Sequence, residues 1–99
     1  MKLQIDVTQN DIDMGIPTES DRCPIAQSLM RKGYDYICVG DDSITFDDNS
    51  GISWYAVTPE TAVSFISYFD SHKSVSPFSF EILAITEEER YAGDEDESE

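Results

Sequence analysis

Cys23 and His72 are the two side chains in this sequence that could form a nucleophile and its base. Cys23 stands at the predicted start of a helix, where the helix dipole favours a thiolate. A thiolate nucleophile also needs a base within hydrogen-bond reach. His72, the single histidine, lies near the end of a later helix, and nothing in the spacing brings the two together. Cys23 is therefore expected to be structural and half-buried. Cys38, in an apolar strand, is expected in the core. A small Cys-dependent enzyme is the third reading of the chain.

Carboxylates are the commonest reactive groups, and they come in pairs: Asp11/Asp13, Asp41/Asp42 and Asp47/Asp48. The run Asp47-Asp48-Asn49-Ser50-Gly51 has some of the residues of a calcium loop. It lacks the alternating acid order and the closing bidentate Glu. Two carboxylates for glycoside chemistry require a sugar cleft, which a chain of 99 residues has little material to build. There is no G-x-x-x-x-G-K, no H-E-x-x-H and no C-x-x-C. No catalytic residue, metal or cofactor is expected.

Charge is more informative than any motif. The chain carries 21 acids against 6 bases, a net of −15. Residues 87–99 hold 8 acids and 1 base, so residues 1–86 still hold 13 acids and 5 bases. Such a surface repels nucleic acid and anionic membranes and attracts basic partners. Asp41-Asp42 and Asp47-Asp48 bracket one short predicted strand. At about 3.3 Å per residue the two pairs stand roughly 20 Å apart, and alternate strand residues stand about 6.7 Å apart. That spacing is comparable to the spacing of phosphates along one nucleic-acid strand. Asp35 and the acidic C-terminal residues could extend the field. Trp54, Tyr55, Tyr34 and Tyr36 crowd the same predicted strands, and two of these four must point away from a helix-covered face. Aromatic side chains left there would favour partner binding.

The elements that must position these residues follow from periodicity. Leu3, Ile5 and Val7 alternate with polar residues, as in a half-buried strand. Thr8 and Asp11 have the spacing of a capping box, and Gly15 suits a helix stop. Asp21 is a candidate cap for a second helix that runs from Cys23 and Pro24 to Gly33. Three strands should follow, at 34–39, 43–46 and 52–57, joined by hairpin-like turns. Thr58-Pro59-Glu60 reads as a cap, a first helical position and an acid, opening a helix with Ala62, Phe65, Ile66 and Phe69 on one face. Phe78, Phe80 and Ile82 alternate in a last strand. A helical turn is expected at 87–90, and the acid-rich residues beyond Gly93 are expected to be disordered. The predicted fold is α+β in the order β-α-α-β-β-β-α-β. It would have a four- or five-stranded, mostly antiparallel sheet, with helices on one face. One globular domain should span 1–86, followed by an acidic tail at 87–99.

Lys2 is followed by an alternating stretch and not by an apolar h-region, and no apolar run approaches the ~18 residues of a membrane span. The expected compartment is the cytoplasm, with both thiols reduced.

Thr8 to Gly15 (TQNDIDMG), then Cys23-Pro24-Ile25-Ala26, then Phe69-Asp70, and Ser76-Pro77-Phe78-Ser79-Phe80-Glu81 make up a pattern. It resembles a group of short proteins encoded by bacteriophages and prophages. The resemblance spans roughly residues 3 to 83, implies a mobile-element origin and a bacterial host cell, and carries over no functional residue. Small acidic phage proteins often resemble DNA mimics that occupy the nucleic-acid channel of a host nuclease, glycosylase or CRISPR effector. The expected function is therefore a non-enzymatic inhibitor that docks on a basic nucleic-acid-binding surface of a host protein. Asp35, Asp41, Asp42, Asp47 and Asp48 would act as phosphate surrogates, with Trp54 and Tyr55 as further partner-binding residues. No direct contact with nucleic acid or membrane is expected. The alternative is a phage accessory module that binds protein through an aromatic sheet face, its charge serving solubility.

Overall fold

The alternation of Leu3, Ile5 and Val7 forms strand β1 (Lys2–Val7) in the computed structural model, which describes residues 1–91. Helix α1 (Gln9–Met14) starts on the capping box read from the sequence. The Thr8 hydroxyl accepts the Asp11 amide at 3.2 Å, and the Asp11 carboxylate accepts the Thr8 amide at 2.9 Å. Gly15 ends the helix at φ −68°, so its role is not conformational. A Cβ there would stand 2.7 Å from the Pro24 ring, and the missing side chain lets the two helices meet. Helix α2 (Pro24–Arg31) is capped by Cys23 and not by Asp21, with Pro24 in the first turn. Ile25, Ala26 and Leu29 are fully buried on its inner face. Burying a side chain of the size of Leu29 contributes about 2 kcal/mol.

Strands β2 (Asp35–Val39), β3 (Ser43–Asp47) and β4 (Ser53–Val57) form the antiparallel meander expected from their short links. Ile37, Val39, Ile44, Phe46 and Ala56 face the core. Cys38 does not join them. It is exposed, because Ile37 and Val39 take the inward positions of a strand whose side chains alternate. Helix α3 (Glu60–Asp70) begins one residue later than its sequence signal suggests. Pro59 is the extended cap residue, and the Thr58 hydroxyl donates to the Gly40 carbonyl at 2.7 Å instead of capping. Phe65 of α3 stacks on Phe78 of strand β5 (Phe78–Leu83) at 4.6 Å, and Phe78 stacks on Phe80 at 5.2 Å.

The protein is an α+β fold, but the strands form two sheets and not one. β1 pairs with β5 over six residues, Lys2 opposite Leu83 to Val7 opposite Phe78. The second sheet has the order β2-β3-β4-β6, where β6 is Ile85–Thr86. The chain passes from one sheet to the other at Ala84, which is fully buried and exchanges backbone bonds with Met1. β1 does not pair with β2, and α2 packs against both strands. A two-residue strand carries no periodic signal, which is why β6 was not visible in the sequence.

Residues 87–91 are helical, and Thr86 caps them through a hydroxyl that accepts the Glu89 amide at 3.1 Å. The acidic stretch at 94–99, expected to be disordered, lies outside the described residues. Among the described residues no helix is long and apolar enough to cross a membrane.

Candidate functional site

The acidic residues singled out in the sequence lie at opposite ends of β3. Asp35 and Asp47 stand directly opposite each other across β2 and β3, with Asp48 next in the turn. Asp41 and Asp42 occupy the turn at the other end. The two groups differ in what their carboxylates do. Asp48 organises its own turn: Oδ1 accepts the amides of Ser50 at 2.9 Å and Ile52 at 3.0 Å, and Oδ2 accepts the indole N–H of Trp54 at 3.0 Å. The Trp54 hydrogen bond, with the two amides, holds the Asp48 carboxyl below the usual carboxylate range. Asp47 accepts the Ser53 hydroxyl at 2.7 Å. The run 47–51 that resembles a calcium loop thus spends its second acid on holding the hairpin. Asp41 and Asp42 are exposed, and their side chains make no hydrogen bond among the described residues.

The aromatic residues separate as alternation requires. Tyr34 packs on Phe46 with ring centroids 4.6 Å apart, and Trp54 lies beside Phe46 on the core side. Tyr55 faces the other way, where the Arg90 guanidinium covers its ring at 4.1 Å. Tyr36 points into solvent, 84% exposed.

The Asp41 end is also the acidic wall of a concavity. Thr58 bonds to both sides of the β2–β3 turn, which brings the start of α3, with Glu60, to that end. The loop between α1 and α2 folds against it: Ile16 donates to the Arg22 carbonyl, Arg22 to the Glu19 carbonyl, and Val39 to the Ser20 carbonyl. The Thr18 amide donates to the Asp70 carboxylate at 2.9 Å, closing 52 residues of chain. Thr18 adopts φ +63°, an outlier for a β-branched residue. The resulting hollow of about 520 Å³ has Glu19, Asp41 and Asp70 on its walls and Cys23, Val39 and Ile66 among its apolar lining. Among the described residues no basic side chain lines it. Its chemistry suits a cation on an aliphatic stem, as on lysine or arginine. Glu19 and Asp70 were not read from the sequence as site residues, because only the fold brings positions 19, 41 and 70 together.

Cys23 lines the same hollow but is 95% buried, at 5% exposure, and burial pushes its thiol up. The amides of Ala26 and Ile25 pull the other way without overcoming it, and Asp70 adds to the rise. His72 lines a different concavity, with Phe69 and Val75. Four of the six positive side chains are engaged locally. Arg31 bonds Asp11 at 2.9 Å and the Asp6 carbonyl, and Lys32 bonds the Gln4 carbonyl. Lys73 lies over Tyr68, and Arg90 lies over Tyr55.

Comparison with family models, with curated proteins and with solved structures returned no match.

Proposed function

We propose that this protein acts by binding and not by catalysis. It docks its acidic surface on a basic, nucleic-acid-binding surface of a host protein and keeps nucleic acid out. The observation that carries this reading is the unequal use of charge on the folded body. Five of the 21 acids lie in 94–99, which leaves sixteen against six bases in residues 1–91. Only Asp11 and Glu87 sit in ion pairs among the described residues. Four of the bases are held by internal acids, carbonyls or rings, while the side chains of Asp41 and Asp42 have no hydrogen-bond or ion-pair partner among the described residues. Unpaired charge of one sign destabilises a fold by self-repulsion, and a basic partner relieves it. The centre of the contact is the Asp41–Asp42 turn with the hollow walled by Glu19, Asp41 and Asp70. Asp35, Asp47 and Asp48 form a second acidic group at the far end of β3. A nuclease, glycosylase or CRISPR effector would supply the basic channel, and the raised thiol of Cys23 argues against a nucleophilic enzyme.

The test is capture of the host partner on immobilised protein, beside an Asp41→Lys/Asp42→Lys variant. Both positions are exposed, so the variant should fold with a change within about 0.5 kcal/mol. The captured protein should be released by double-stranded DNA, and its affinity for the variant should fall by roughly 100-fold or more. Equal retention by the variant, with no displacement by nucleic acid, would overturn the reading.

A further inference from the structure

A group of exposed apolar side chains lines a second concavity, beside the acidic hollow along the 16–22 loop. Ten large ones are well exposed among the described residues, and four of these, Met14, Ile16, Met30 and Tyr36, line one groove of about 600 Å³. It runs between β2, the face of α2 and the loop that follows α1. Exposed apolar side chains scattered singly need no explanation, but a contiguous set does. Tyr36 adds a second observation. Its backbone stands at φ +50°, at an irregularity where Asp35 pairs with Asp47 and Cys38 with Thr45, leaving Tyr36 and Ile37 opposite Phe46. A bulge of this kind re-aims a side chain. Here it holds a tyrosine out of the core in a backbone region that bulky residues rarely adopt.

We propose that this groove binds an amphipathic segment of a partner protein, one that presents aliphatic side chains flanked by Lys or Arg. Charge decides among the possible occupants. A second copy would bring another chain of net charge −15, and the two would repel. Residues 92–99 carry five acids and no large apolar side chain. The rim of the groove carries Asp21 and Asp35, with Asp47 opposite Asp35 on the next strand, against one base, Arg22. The surface therefore selects cationic flanks. Methionines suit such a site, because their unbranched, polarizable side chains repack around different aliphatic partners. A helix laid in the groove would present its anchors at the spacing of one helical face.

The inference does not rest on the nucleic-acid-mimic reading, and its test separates the two. The chain has three methionines, Met1, Met14 and Met30, and two of them line the groove. Protein labelled with [methyl-¹³C]methionine is titrated with a synthetic amphipathic Leu/Lys helix of about four turns. A second peptide of the same charge has every Leu replaced by Ser. The Leu/Lys peptide should shift the Met14 and Met30 signals saturably and leave Met1 in place, and the Ser/Lys peptide should not. Tyr36→Ala should weaken binding by about tenfold, as expected of an interface tyrosine. An unchanged Met1 signal reports that the variant is folded. The Asp41→Lys/Asp42→Lys variant should show the same pattern of shifts as the parent, even if the mimic reading fails. Three outcomes overturn the proposal: no shift of Met14 and Met30, equal shifts with the Ser/Lys peptide, or shifts that follow protein concentration without peptide.

Discussion

Asp42 and Asp48 are six residues apart and face opposite conditions. One carboxylate projects from a turn, and the other accepts three hydrogen bonds that hold a turn and a tryptophan. Asp11 is the most committed acid of all. Its side chain is 4% exposed, bonded to the Thr8 amide at 2.9 Å and to Arg31 at 2.9 Å. Burial works against its charge, yet the hydrogen bonds from Arg31 and Thr8 together hold the carboxyl below the usual range. Asp11→Ala removes half of a capping box and one partner of an ion pair, at a cost of about 2 kcal/mol near neutral pH. Arg31 is half-exposed and can turn to water, so the larger penalty of a stranded buried charge does not apply. The depressed folded value fixes the sign with pH. The contribution is complete above the unfolded value of about 3.9 and is lost as pH falls through the folded one. Urea melts should give a steady gap between parent and variant from pH 7 to about 5, and a shrinking gap below about pH 4. A gap that stays unchanged at pH 3 would show that the charge contributes nothing.

At the scale of elements, two close approaches set the architecture. The first is α1 against α2 at Gly15 and Pro24. Gly15→Ala places a Cβ 2.7 Å from a rigid ring, so one helix must shift, at a cost of about 1–3 kcal/mol. Gly40→Ala is the control. Its Cβ would meet the Ser43 carbonyl at 3.5 Å and the Asp42 amide nitrogen at 4.0 Å, both ordinary contacts, and the change should stay within about 0.5 kcal/mol. Thermal melts of the two variants should separate them, and equal melting temperatures would refute the packing argument. The second approach is Ala84, where one extended segment leaves β1 and joins β4. Strands that switch sheets in this way form the corners of two-layer structures.

For the whole molecule, charge of one sign dominates, and two ion pairs among the described residues offset it. Asp35 lies opposite Asp47, an arrangement that destabilises a strand pair. Between about 0.01 M and about 0.1 M salt the screening length falls from ~30 Å to ~10 Å. Sodium chloride should therefore raise the melting temperature of the free protein by several degrees over that range. The same salt should weaken capture of a basic partner. A melting temperature that falls with salt would mean that the ion pairs of Asp11 and Glu87 outweigh the repulsion. On the proposed function the two effects of salt have opposite signs, because the free protein suffers from its charge and the complex would use it.

Element types other than β6 were legible in the residues themselves, with their boundaries within one or two residues. Periods of two and of 3.6, the Thr8–Asp11 capping box and the turn residues are local properties, and local properties act over a few residues. Tertiary structure decided everything that depends on distant partners. It capped α2 with Cys23, turned Thr58 to Gly40, exposed Cys38 and split the strands into two sheets, with α2 packed against a strand of each. It also separated the acids by role. Asp48 was claimed by Trp54, Asp11 by Arg31, and Glu19, Asp41 and Asp70 were gathered from three segments into one wall. The physical reason is range: a backbone preference is set by neighbours in the chain, whereas the state of a carboxylate is set by whichever groups the fold brings within hydrogen-bond distance.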